Sequence, residues 1–307
     1  MLDLFNLPAG TKNRVQVYSV ATRAQDGTEW LTWRKPRGVS MGMFLAIGGG
    51  GAGGNGHSAA AGNTRGGGGG GGSSGIARVT VPLVFLPDVL YVMVGAGGIK
   101  AVTYPGASAG QGTRSMVAVA PDATDTNRLL VSGAAGATAG ANGAAGGLGG
   151  GGNAGTISVI GDMPIAGLGN FDLIAGNAGA GGGAQTGDNG TSIGISASSS
   201  RCQGGSGGGG TQSADFTGGP CTAISGSYLS EQRPATPAAG SNDGSSGPQI
   251  WQPFFSFGGL GGSSSNAGVG GHGGYGARGA GGGGGGGGTT GGTGGNGGDG
   301  LVVIVTW

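Results

Sequence analysis

Compact apolar blocks alternate with long glycine-rich stretches along this chain. VQVYSVA (15–21), WLTW (30–33) and VSMGMFLAIG (39–48) have the β-branched, aromatic and apolar content of short strands, with DG and KPRG turn signals between them. A second block, IARVTVPLVFLPDVLYVMVGAGG (76–98), carries Pro82 and Pro87. Proline cannot donate to a sheet ladder, so these predict edge strands or turns. SMVAVAP (115–121) and NRLLVSG (127–133) form a third block, and LVVIVTW (301–307) is an apolar terminal strand. Residues 1–47 therefore read as an N-terminal β element. Residues 48–307 read as a glycine-rich region with β clamps at 76–133 and 301–307.

Between the strands the pattern has a period of three. His272, Tyr275, Arg278, Thr290, Thr293, Asn296 and Asp299 stand at multiples of three from one another, and the octaglycine at 281–288 does not break the phase. Glycine occupies 140, 143, 146, 149, 152 and 155, and again 176, 179 and 182, while Ala52, Asn55, Ser58, Ala61 and Thr64 hold a non-glycine phase of three. A flexible linker needs no phase. Three residues per turn is the repeat of the extended left-handed helix that polyglycine shares with polyproline, which has no internal hydrogen bonds. Its backbone groups must be satisfied by adjacent segments, so the tracts predict a bundle of polyglycine II helices with glycine as the core residue. At about 3.1 Å per residue, 31 residues would span roughly 100 Å. Turns are therefore expected within 270–300, with 281–288 the candidate place. The expected fold class is mainly β and irregular, with short β-strand clamps around the bundle and essentially no α-helix.

Composition narrows the classes further. Glycine supplies 86 of 307 residues and charged residues 9%, which excludes an ordinary α/β enzyme core. Net charge is +1 and hydrophobic content 36%, unlike a disordered chain. Balanced charge argues against nucleic acid as a partner. No basic-then-apolar leader opens the sequence and no run of about 18 apolar residues occurs, so no membrane insertion is expected.

Candidate chemistry is sparse. GxGxxG matches recur through the tracts without a βαβ context, and no Walker A or GxSxG motif is present. His57 and His272 are the only histidines, too few and too separate for a metal site, and read as solvent-facing edge residues. Arg65 begins a single RGG match, where RNA-binding tracts would repeat it among aromatics. Trp30, Trp33 and Trp307 sit in apolar strands and read as clamp core. Thr290 and Thr293 fall short of the long threonine ladder an ice-binding face requires. No enzyme activity, cofactor or metal is expected.

Residues 196–257 lose the period and read as one long inserted loop, rich in Ser and Pro and holding both cysteines. Cys202 and Cys221 have eighteen residues between them. A disulfide there would staple the loop in an oxidising medium, whereas a reducing cytoplasm would keep the thiols apart, and the sequence leaves the two states open.

The order WLTWRKPRGVSMGMFLAIGGGGAGG (30–54), VTVPLVFLPDVLYVMVGAGG (79–98) and GGNGGDGLVVIVTW (294–307) resembles the glycine-rich domains of bacteriophage tail fibres and adhesins. The resemblance implies a virion structural protein, assembled in the host cytoplasm as a homo-oligomer, whose polyglycine II helices are joined by loops that touch the host. It implies a tail or tail-fibre component contributing to host attachment, through a cell-surface receptor that is an outer-membrane protein or a glycan. Mapped onto this chain, contact falls to the loops at 100–114 and 199–257, with Tyr228, Trp251, Phe254 and Phe255 as receptor contacts. The N-terminal region would join other virion proteins. A purely structural filament or a capsid or tail decoration protein, with no receptor role, is the alternative.

Overall fold

A computed structural model describes residues 14–20, 29–102, 108–122, 128–132, 137–158, 169–194, 201–222, 235–251 and 254–307. Their strands are β1 (Arg14–Ser19), β2 (Trp30–Arg34), β3 (Met41–Ile47), β4 (Ile76–Pro82), β5 (Val89–Met93), β6 (Ser115–Ala118), β7 (Arg128–Ser132), β8 (Ile157–Ser158), β9 (Asn170–Ile174), β10 (Gln249–Trp251), β11 (Phe254–Ser256) and β12 (Leu301–Thr306). The fold is mainly β and irregular. Among the described residues, helix is confined to one 3-10 turn at Leu83–Phe85.

Two five-stranded antiparallel sheets contain most of the strands, in the orders β1-β12-β3-β4-β9 and β2-β5-β6-β7-β8. The strands expected within 1–47 are thus shared between both sheets and pair with strands from the rest of the chain. Alternation decides what lies between the sheets. Phe44 and Ala46 of β3, Val79 and Val81 of β4, and Val302 and Ile304 of β12 meet Trp33, Leu90, Val92 and Val117 of the second sheet in one buried cluster. Trp33 and Phe44 pack edge to face, with ring centroids 5.6 Å apart. The alternate residues Leu45, Ile47, Leu301, Val303 and Val305 face the other way, into a second cluster with Cys202 and Phe254. Burial on both faces explains why LVVIV has no polar alternation, and each such side chain contributes about 1.5–3 kcal/mol.

The prolines of the second block break it between the sheets. Pro82 ends β4 and Pro87 follows the 3-10 turn that leads to β5. Both strands lie inside their sheets, so of the edge strands or turns expected from the prolines it is the turn between β4 and β5 that forms. Proline at a strand end removes no interior ladder bond.

Strands pass directly into glycine tracts: β3 into 48–58, β9 into 175–183, β11 into 257–265, while 66–75 feeds β4 and 291–300 feeds β12. The tract at 66–74 shows how they bond. Gly66, Gly69 and Gly72 donate to Ala144, Ala141 and Thr138; Gly67, Gly70 and Ser73 to Gly183, Ala180 and Asn177; Gly68, Gly71 and Ser74 to Gly285, Gly282 and Gly279. Its carbonyls accept from three further tracts, through His57, Gly54 and Gly51, through Gly149, Gly152 and Gly155, and through Gly208 and Gly205. The octaglycine repeats the scheme. Gly281, Gly284 and Gly287 donate to Gln203, Ser206 and Gly209, and Gly282, Gly285 and Gly288 to Gly51, Gly54 and His57. Every third amide reaches the same neighbour, and backbone satisfaction comes from six surrounding segments.

All of 281–288 is buried, so the turn expected there is a straight central tract. The chain turns instead around Arg278 and Gly279, where Gly279 has φ 71°, and again at Thr289–Thr290. The reason is steric. A Cβ at any of 281–288 would stand less than 3.0 Å from a backbone atom of another tract.

The buried tracts admit a few side chains, which act as surrogate backbone. Asn142 Oδ1 accepts from the Asn55 amide at 2.8 Å, Asn55 Oδ1 from the Gly294 amide at 3.0 Å, and Ser206 Oγ from the Gly261 amide at 2.9 Å.

Candidate recognition surface

The tracts leave the sheets and reverse direction at their far ends, and these reversals gather together. The turn at 59–64 follows the first tract, with Gly62 at φ 82°. Arg65 then re-enters the bundle fully buried. Its backbone amide donates to Gln185 and Thr211 carbonyls, at 3.1 and 2.9 Å, tying in the connections at 184–188 and 211–216. Its guanidinium reaches a third connection: Nη1 donates to the carbonyls of Ser265 (3.3 Å) and Asn266 (2.9 Å), Nη2 to Asn266 Oδ1 (2.7 Å), and Nε to the Asn63 carbonyl (3.1 Å). Asp215 completes the clasp by accepting from the Asn266 amide at 2.6 Å. Thr64 Oγ1 donates to the Ala145 carbonyl, which adds the turn at 144–147.

A buried arginine with this many carbonyl acceptors fixes several turns at once, because its planar donors have set directions. Around it Ala60, Asn63, Thr186, Asp188, Ser213, Asp215 and Thr290 are exposed, as is Val269 beside Thr290. His57 lies beside the clasp. Burial, reinforced by the Arg65 charge, lowers its pKa below the ordinary 6.5.

Of the described residues singled out in the sequence, Trp251 and Phe254 come together and Phe255 lies in a separate cluster. Trp251 is 39% exposed on β10 and rests edge-on against Phe254, centroids 5.8 Å apart. Phe254 and Phe255, expected as receptor contacts, are instead 0% and 3% exposed. Phe254 packs under the first sheet with Leu45 and Val303, and Phe255 packs 4.7 Å from Phe257 in a separate cluster. The apolar effect takes aromatics inward wherever a sheet face is open. Tyr228 lies outside the described residues.

The loop expected over 196–257 is in part bundle. Residues 202–211 form a buried tract, with Gly205 and Gly208 donating to Gly71 and Gly68 and Ser206 and Gly209 to Gly259 and Gly262. Gly244 and Gly247 bond to the carbonyls of His272 and Tyr275. In the other expected loop, 100–114, Gly110 and Gly112 are likewise bonded, to Ile99 and Ala137.

Cys202 and Cys221 are buried thiols and the considered disulfide is not formed. The tract geometry separates them: Cys202 joins Leu45, Ile76 and Phe254, whereas Cys221 joins Ile193, Phe257 and Leu260. Gln203 Nε2 donates to Cys221 Sγ at 3.2 Å. Burial pushes the Cys202 thiol up to about 12, against the opposing hydrogen bond of Ser256.

His272 is exposed at the bundle edge, its Nδ1 accepting from the Thr293 amide at 3.0 Å. No group of three His, Cys, Asp or Glu side chains suited to a metal occurs among the described residues, and no helix among them is long and apolar enough to cross a membrane. The chain matches no family model and no curated protein sequence.

Proposed function

We propose that the tracts are polyglycine II helices and that the protein is a bacteriophage tail or tail-fibre component whose turn-bearing end meets the host surface. The observation that carries this reading is the period-three allocation of backbone donors in 66–74 and 281–288, the allocation a threefold screw produces when it is surrounded by like neighbours. Such a bundle is rigid without helices or a large side-chain core, and presents several turns on one end. The recognition role moves from the aromatics of 199–257 to the turns around Arg65, because these project from the bundle while Phe254 and Phe255 do not.

The N-terminal region is the proposed junction with other virion proteins. β1 is an edge strand of the first sheet and exposes Val15 and Val17, at 50% and 62%. An open strand edge is a site for further pairing.

The test is binding of the labelled protein to a panel of Gram-negative strains, with and without replacement of 60–63 by Gly-Ser residues. Binding to a subset of strains that the replacement abolishes, with the thermal midpoint unchanged, supports host attachment. Binding to no strain, or binding indifferent to the replacement, supports the scaffold or decoration protein instead.

A further inference from the structure

Near the sheet end of the bundle, two surface tracts run side by side in the same direction: Gly270, Gly273, Gly276 and Gly279 donate to the carbonyls of Thr290, Thr293, Asn296 and Asp299. Period three puts glycine inside and one side chain in three outside, so His272, Tyr275 and Arg278 form one row and Thr293, Asn296 and Asp299 the next. Between the rows lies an open groove of about 480 Å³, walled by Tyr275, Arg278, Asn296 and Asp299 and floored by Gly276 and Gly297.

We propose that this groove binds an acidic saccharide, of the uronic acid type. Tyr275 is 49% exposed, an aromatic face for a sugar ring. Lys100 Nζ stands over one face of that ring, 5.6 Å from its centre, and donates to Thr293 Oγ1 at 3.3 Å, which fixes a cation there and leaves the opposite face for a sugar. The Arg278 guanidinium makes one hydrogen bond among the described residues, Nη1 to the Gly300 carbonyl at 3.3 Å, and keeps its other donors for a ligand. Asn296 Oδ1 is taken by the Lys100 amide at 2.8 Å, leaving Nδ2 as a donor to a sugar oxygen. The Gly276 and Gly297 amides are bonded to Asn296 and Gly98 carbonyls; the Gly276 carbonyl accepts nothing from the described residues and can take a sugar hydroxyl, whereas the Gly297 carbonyl faces Gly97. Asp299 turns Oδ1 to the Gly97 amide at 2.9 Å.

Two cations against one carboxylate select a carboxylate-bearing ligand, and a charge-assisted pair with guanidinium is the strongest single contact available. A simple anion would leave the open tyrosine face and the Gly276 carbonyl unused. The groove is separate from the turns around Arg65 and stands or falls apart from any role of that end.

Saturation-transfer difference NMR on the full chain tests this with three probes: tetragalacturonate, uncharged galactotetraose and acetate. Tetragalacturonate should show transfer to its ring protons. Tyr275→Ala and Arg278→Gln should each weaken its binding about tenfold, the scale of one lost charge-assisted or stacking contact, and Tyr275→Phe should retain it. Galactotetraose should bind about tenfold more weakly. Absence of transfer, binding indifferent to Tyr275→Ala, equal binding of the two sugars, or competition by acetate at equal concentration would overturn the proposal. If Arg278→Gln fails to fold, the Tyr275 pair decides alone.

Discussion

The amide of Gly68 donates to the carbonyl of Gly285 across 2.9 Å, joining two buried tracts from distant parts of the chain, and neither position has room for a side chain. A Cβ on Gly284 would stand under 3.0 Å from Gly68 carbonyl atoms and the Gly208 nitrogen. Gly284→Ala should therefore cost about 3 kcal/mol or more, because backbone on both sides must move. Gly150, where a Cβ meets nothing within 4 Å, is the control. Gly150→Ala should be neutral or stabilising by about 0.4–1 kcal/mol through the unfolded chain. Urea denaturation of both variants checks the contrast, and equal effects would deny the close packing.

Arg65 should matter to stability far more than a surface arginine. Replacing it with Met leaves the carbonyls of Asn63, Ser265 and Asn266 without the guanidinium and Asp215 without its nearby charge. A loss of about 2–4 kcal/mol is expected in equilibrium unfolding. A change below about 0.5 kcal/mol would mean that the turns hold themselves together.

The two thiols should be inert in the native protein. Cys202 is wholly buried and, with its pKa at about 12, carries negligible thiolate at neutral pH. Ellman's reagent should label neither cysteine until denaturant is added, and then both. Intact mass after mild oxidation should show two thiols rather than a disulfide, and the melting temperature should not respond to reductant.

His57 should make stability pH-dependent. Its folded pKa lies below the ordinary 6.5, so below that value the unfolded chain binds the proton more readily. The neutral side chain's stabilisation is full above about 6.5 and is lost as pH falls from there toward the folded value. Melting temperatures measured between about pH 7.5 and pH 5.5 should fall, and His57→Gln should flatten that part of the curve. An identical slope in the variant would assign the dependence to other groups.

Much of the β structure was legible because its strands are apolar on both faces, as LVVIVTW and MGMFLAI are. The strand NFDLI at 170–174 has no such signature, because Asp172 interrupts it and pairs with Arg78 at 3.0 Å only in the folded sheet. The period of three was visible in 270–300 because those surface tracts can display a side chain at every third position. In 202–211 it was invisible: a tract buried on all sides has no outward row to mark the phase. Phe254 and Phe255 look like surface contacts in the sequence because a segment with no visible strand pattern offers them no sheet face to cover. In the sequence Arg65 is hidden inside an RGG match. A lone charge inside a glycine tract, just after the turn-forming GNT, was the available signal.

The glycine tracts are a hydrogen-bonded core. Backbone amide hydrogen exchange resolved to 66–74 and 281–288 tests it most directly. Protection in both tracts as strong as in β3 and β12 is the predicted result, since their amides are bonded between buried segments and open only with global unfolding. Exchange at random-coil rates in either tract, with the sheets still protected, would contradict it and leave the glycine as linker between strands.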